Sequence, residues 1–390
     1  MSAKQQLHRY RAPDERAAEE RAWSAVRGAY REITPRQRTR VSRVPAGILV
    51  TSIALVISAV LLSDLRSADR RSRVSAISTS AARALSGSQA LVTDETQSRL
   101  LIVSLPSGRI AHSVPVPADP EDIAASGNGG VVVVVSSAAG KVTIINRDTL
   151  RVVKTFGGFE QPHIDAISPD GAYAYVTDDS RGTLTVIRLS DLKVTDTVAV
   201  GVGAHHLAFS PTMRTVWVAL GENAQRITTL STIQRGARGA GAVPDPGHPH
   251  VVGHFTPGFP AHDLGFSPDG RTVWVTSAAG SDVTAFDSRT HRVRFRVPVG
   301  APPQHLAFEG RFAYLTSGYG SMIEKVSART GHVVARARAP YGSFELAAAD
   351  GYVVSASLLR GTLAIYTPNL KLVRVVSLAP ATREVAISRP

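Results

Sequence analysis

Two adjacent histidines, His205 and His206, stand directly before an apolar run in the segment GAHHLAFSP at 203–211. Neutral imidazole is a ligand for divalent metal ions and, near neutral pH, an acid or base. What a pair of imidazoles can do depends on the groups brought to it. Near-copies of the segment occur as PHIDAISPDG at 162–171, AHDLGFSPDG at 261–270 and QHLAFEG at 304–310, with weaker versions EDIAAS at 121–126, FELAAADG at 344–351 and REVAIS at 383–388. Aligned, the residue just before each apolar run is Asp122, Ile164, His206, Asp263, His305, Glu345 and Glu384. Four carboxylates and two imidazoles at equivalent positions, if turned toward one axis, would hold a divalent cation or a polar small ligand. His206, Asp263, His305 and Glu345 are the metal-binding subset expected from donor type. The competing reading is that these groups line a water-filled channel, the imidazoles hydrogen-bonded to carboxylates and loop backbone.

Elements that could arrange such a ring follow from the internal repeat. A second apolar segment recurs as ALVTDE (90–95), VVVVSS (132–137), AYVTDD (174–179), VWVALG (216–221), VWVTSA (273–278), AYLTSG (313–318) and YVVSAS (352–357). Its fourth position reads Thr93, Ser136, Thr177, Ala219, Thr276, Thr316 and Ser355, at intervals of 43, 41, 42, 57, 40 and 39 residues. Within one unit, HIDAIS, AYAYVTDD, TLTVIRL and KVTDTVAVG are four β-type runs separated by the turn signals PDG, SRG and SDL. Seven units of four short strands predict an all-β, seven-bladed propeller over 81–390. In that fold the innermost strand of each blade begins beside a central channel, so the aligned residues form a ring at one mouth. Two positions on, Ala124, Ala166, Ala208, Gly265, Ala307, Ala347 and Ala386 are small enough for crowded inner strands. The position before the ring holds Glu121, His163, His205, His262, Gln304, Phe344 and Arg383, and strand alternation predicts that these point the other way. REVAIS, lying after the seventh unit, is expected to supply the inner strand of blade 1 and close the circle, with AARALS at 81–86 as its competitor.

The AYVTDD, VWVTSA, SPDG and HLAF patterns resemble the YVTN-type seven-bladed propellers, related to surface-layer and cytochrome-d1-like propeller domains. The resemblance covers about residues 81–390 and implies the fold. Its members include binding modules, scaffolds, lactonases and haem-carrying enzymes, so it leaves function open. Ala219 replaces the hydroxyl of the pattern, and Asp178 stands where the name-giving Asn falls.

The rest of the chain bears on placement. Between Arg43 and Asp64 lie 20 residues without a charge; at about 1.5 Å per residue they span the roughly 30 Å hydrocarbon layer, so 44–63 is expected to be a single transmembrane helix. Over 40 residues precede it, too many for the n-region of a cleaved signal. The tail 1–43 is basic and contains a short amphipathic helix after Pro13, with Trp23, Val26, Tyr30 and Ile33 at helical spacing. Residues 64–80 read as a linker. The longer basic tail sets the N-terminus inside the cell and the propeller outside the cytoplasm.

Of the net charge of +13, residues 1–44 carry +6 and residues 64–80 carry +2, which leaves +5 on the propeller, too little for a phosphate-binding stripe. Nucleic acid is therefore the weakest partner class. The chain has no cysteine, which excludes thiolate sites, disulfides and covalently attached haem. No G-x-S-x-G, H-E-x-x-H or P-loop pattern occurs. A second histidine group, His248, His250 and His254 after the Gly-rich segment at 235–243, reads as a loop on the face opposite the ring. The expected function is a membrane-anchored extracytoplasmic binding or scaffold module for a protein, glycan or small ligand at the propeller mouth. The alternative is a lactonase-like hydrolase using the ring with a divalent cation, and the next a nucleic-acid-binding propeller.

Overall fold

The computed structural model describes residues 87–127, 130–221, 225–234, 242–302 and 304–388. The expected tail helix, the 44–63 span, the linker and AARALS at 81–86 lie outside the described residues. Among the described residues there is no helix, and so none long and apolar enough to cross a membrane.

Twenty-eight strands form seven four-stranded antiparallel sheets, each a blade of the propeller. The innermost strands are Thr382–Ser388, Pro120–Ala125, Pro162–Ile167, Leu207–Phe209, Ala261–Phe266, Gln304–Glu309 and Ser343–Ala349, for blades 1 to 7. Blade 3 shows how sequence makes strand. Pro162–Ile167 ends at Ser-Pro-Asp-Gly, where the Ser168 hydroxyl donates to Asp170 Oδ1 (2.5 Å) and Gly171 takes φ of 74°. That turn reverses the chain into Tyr173–Asp178, whose aromatic and β-branched residues suit a sheet buried on both faces. Blade 5 repeats the turn with Ser267, Asp269 and Gly270. Outer strands are mixed or exposed on both faces, as in Arg151–Phe156, because nothing packs beyond them.

The core lies between blades. Leu91, Leu100 and Ile102 of blade 1 pack on Ile123, Val132, Val134 and Ile145 of blade 2. Val354, Leu363 and Ile365 of blade 7 pack on Ala90, Val92, Leu101 and Val103 of blade 1, so the apolar layers continue round the circle. Each such side chain, fully buried, contributes about 1.5–3 kcal/mol, and neither blade could bury it alone. Closure is by the strand at 382–388, which pairs Leu91 with Ala386 and Val92 with Val385. Arg147 of blade 2, wholly buried, pins this strand: Nε donates to Ser388 Oγ (3.1 Å) and Nη2 to Gln89 Oε1 (2.6 Å).

Strand register corrects one part of the sequence alignment. Ala386, Ala124, Ala166, Ala208, Gly265, Ala307 and Ala347 pair with Leu91, Val133, Tyr175, Trp217, Trp274, Tyr314 and Val354. Two residues after these partners come Thr93, Val135, Thr177, Ala219, Thr276, Thr316 and Ala356. Ser136 and Ser355 therefore sit one position off, and four blades, not six, carry the hydroxyl. Runs of similar small residues allow a one-residue slip that only pairing resolves.

The strand before closure depends on Gly361. Its φ is +61°, and a Cβ there would lie 1.7 Å from the Ala379 carbonyl oxygen. Left-handed strain of about 1–2 kcal/mol per residue adds to overpacking of about 1–3 kcal/mol. Gly361→Ala is expected to lower stability by about 3 kcal/mol, read as the shift in a urea unfolding midpoint; an unchanged midpoint would show that the turn does not govern closure.

Candidate metal centre

Two-against-one pairing shapes the mouth. In blades 2, 3, 5 and 7 the inner strand slips register at Pro120/Asp122, Pro162/Asp165, Ala261/Leu264 and Ser343/Glu345, and blade 1 does so between Thr382 and Val385. In blade 4, His205 and His206 both oppose Ala219: the His205 N–H donates to the Ala219 carbonyl, and the Ala219 N–H to that of His206. Such a bulge re-aims a side chain. Glu121, His163, His205, His262 and Arg383 consequently join the mouth, although strand alternation had sent them the other way. Blade 6 has no bulge there, and Gln304 does turn aside, its Nε2 donating to the carbonyls of Gly280 and Gly300 (both 2.8 Å). The repeated threonine now has a reason. Thr93, Thr177 and Thr276 accept on Oγ1 from the N–H groups of Glu384 (2.9 Å), Ile164 (3.1 Å) and Asp263 (2.8 Å), the ring residues of their blades.

All six expected site residues, Asp122, His206, Asp263, His305, Glu345 and Glu384, are at this mouth. His206 Nδ1 lies 3.3 Å from Asp263 Oδ1; His305 Nδ1 lies 2.8 Å from Glu345 Oε1 and 3.8 Å from Asp263 Oδ2. His262 and His305 meet through Nε2, at 3.1 Å. The His205 ring is 4.9 Å from His206 and 5.2 Å from His262, and stacks on His163 at 3.9 Å. His205 Nδ1 contacts Asp179 Oδ2 and His163 Nδ1 contacts Glu121 Oε2, both at 3.4 Å. Arg383 pairs with Glu121 and, at 2.8 Å, with Glu95. Asp122 and Glu384 lie near Glu345, so the acids of blades 1, 2 and 7 adjoin the imidazoles through Glu345.

Two ring carboxylates also clasp neighbouring blades. Asp122 Oδ2 accepts from the Asp165 N–H (2.5 Å), and Asp263 Oδ2 from the Leu306 N–H (3.0 Å). The expected ring member of blade 3 is the buried Ile164; the acid of that blade is Asp165, one residue on and beside Asp122. An aspartate inside the apolar run HIDAIS was the available signal for it. Asp179 was missed because it lies past the second strand, on a loop that register alone brings to the ring.

Burial divides the titrations. His205 is pushed down to about 4 by burial and by His163, and His206 and His262 go well below their usual range by burial and neighbouring imidazoles. Burial works against charge on His163 and His305 too, but Glu121 and Glu345 outweigh it and raise both. His262 and His305 share a hydrogen bond through Nε2, and His262 Nδ1 has no hydrogen-bond partner. Burial raises Asp263 to about 7 and Asp122 to about 6, and lifts Asp165 and Glu384 well above the carboxylate range, with nearby acids adding to it. Glu121 goes the other way: burial would raise it, yet Arg383 and His163 hold it far below.

Three sets of donors converge: His206, Asp263 and His305; His205, His206 and His262; and His163, Asp179 and His205. Within each set the ligand atoms lie within 4.8 Å of one another. The second histidine group forms no such set among the described residues. His250 and His254 belong to the outer strand His250–Phe255 of blade 4, not to a loop, and the connection before it packs against Tyr173 at the opposite face.

This architecture defines a seven-bladed β-propeller. Residues 126–225 match the family described as the Cytochrome D1 heme domain. No curated protein matches in sequence. Among solved structures, the chain is similar to a functionally unknown protein from Desulfotomaculum acetoxidans DSM 771 (17% identity, TM-score 0.64, covering 77% of this chain and 99% of that one). It is similar also to apo AztD from Citrobacter koseri (12%, 0.60, 77% and 97%) and to Kuenenia stuttgartiensis hydrazine synthase (15%, 0.60, 72% and 92%). At these identities the likeness is one of fold.

Asp165 offers a test of the buried acids. Its raised pKa means that folding favours the protonated form, a stability contribution lost as pH rises through the folded value. Asparagine cannot titrate, so Asp165→Asn should gain thermal midpoint over the unchanged protein at pH 8 and show little difference at pH 4. Equal differences at both values would deny that the fold holds Asp165 in its protonated form.

Proposed function

We propose that this chain is a membrane-tethered, extracytoplasmic propeller whose mouth binds a divalent transition-metal ion through His206, Asp263 and His305, with Glu345 orienting His305. The observation that carries this reading is the convergence of two imidazoles and a carboxylate from blades 4, 5 and 6 within 4.8 Å, all buried. Nitrogen donors favour ions such as zinc, cobalt, nickel or copper over calcium and magnesium, which take oxygen. Glu345 against His305 repeats the carboxylate–imidazole pairing that fixes a metal-bound ring.

A haem, named in the matching family description, does not fit among these groups. Their ring centroids lie 3.9–6.3 Å apart, which leaves no gap between them for a macrocycle. The charge-free stretch at 44–63 and the basic tail before it support the tether and its orientation.

Protons compete with the ion. Asp263 titrates near 7 and His305 is raised, so both are largely protonated at pH 6, and affinity should fall as pH drops from 8 to 6. Equilibrium dialysis of the full-length chain against zinc or cobalt should show retained metal at pH 8. His305→Ala or Asp263→Ala should weaken retention at least about 10-fold, the scale of losses seen for perturbed metal shells. A chain that retains no metal at pH 8 would refute the reading. Orientation has its own test. The chain has no cysteine and Val202 is 74% exposed, so Val202→Cys should react with an impermeant maleimide on intact cells; protection until lysis would place the propeller inside.

A further inference from the structure

The mouth contains more ligand groups than one ion requires, and they are organised. His163, Asp179 and His205 share no residue with His206, Asp263 and His305. Each triad has two imidazoles and one aspartate, and in each a glutamate touches one imidazole: Glu121 on His163 at 3.4 Å, Glu345 on His305 at 2.8 Å. The third set, His205, His206 and His262, has no carboxylate and takes one imidazole from each of the others. Buried atoms at the mouth without a hydrogen-bond partner include Asp179 Oδ1, His262 Nδ1, His305 Nδ1 and both carboxyl oxygens of Asp165.

We infer that the mouth binds a second divalent transition-metal ion, held by His163, Asp179 and His205, simultaneously with the ion at His206, Asp263 and His305. The inference rests on the proposed metal-binding function and extends it. Because the two triads are disjoint, filling one removes no ligand from the other. The all-imidazole set cannot be filled together with both, since it would take a ligand from each. The two sites are not equal. Every residue of the His206 triad is buried, whereas His163 and Asp179 are half-buried and Arg383 lies against Glu121. The second ion also meets the charge of the first, so it binds more weakly.

The test is a cobalt titration of the full-length chain at pH 8, reading visible d–d absorption together with metal per chain. Two ions per chain in two phases are expected. Asp179→Asn and His163→Gln should each abolish only the weaker phase and leave one ion, and His305→Ala should abolish the tighter phase while the other persists. Far-UV circular dichroism and thermal midpoint check that each variant is folded. One ion per chain, indifferent to Asp179→Asn and His163→Gln but lost in His305→Ala, would overturn the second site and leave the first standing. Loss of all cobalt in folded Asp179→Asn would also overturn it, since the groups would then form one shared site. No cobalt in the unsubstituted chain would remove the metal-binding reading itself.

Discussion

Inner strands that place two residues against one at the channel mouth are the constraint on which the site depends. A regular strand would turn every second side chain away from the axis and leave one polar group per blade. The slip brings consecutive residues to the mouth, His205 with His206 and His262 with Asp263, and frees a backbone N–H at each step. Threonines on the adjoining strands take up those N–H groups in blades 1, 3 and 5, so the repeat's most visible residue serves the distortion that builds the site. Where the distortion is missing, in blade 6, one ring residue is supplied and its neighbour serves a loop.

So many ionisable groups taken out of water would ordinarily destabilise a fold. Several features offset that cost. Asp122 and Asp263 accept N–H groups from the next blade, which makes them part of the joint between sheets. Arg383 meets two glutamates, and His305 stands between acids. His205, His206 and His262 are held toward the free base and Asp165 and Glu384 toward the acid, because burial favours the neutral form of each. The mouth is held by hydrogen bonds more than by net charge, and its neutral imidazoles have lone pairs available to a cation.

Much of this was legible in the sequence. The period, the small residue facing the second strand, the closing strand and the six ring residues followed from spacing, because each blade solves the same packing problem with similar residues. What could not be read is pairing. A bulge changes which way a side chain points without altering composition, so Glu121, His163, His205, His262 and Arg383 were assigned to the wrong face. The same blindness displaced Ser136 and Ser355 by one position. Asp165 broke the apolar pattern openly, but the alignment column beside it held Ile164 and diverted attention. Asp179 had no local mark at all, since its place depends on how neighbouring blades stack.

Arg383 and Glu384 reach the mouth on the strand that also closes the circle. During synthesis the ribosome must release that strand before blade 1 is whole, so folding and the acquisition of the charged rim finish in one event. A chain interrupted earlier would carry all five imidazoles and yet offer them on an open, incompletely walled surface. The charged rim is thereby completed only when the last strand of the circle is in place.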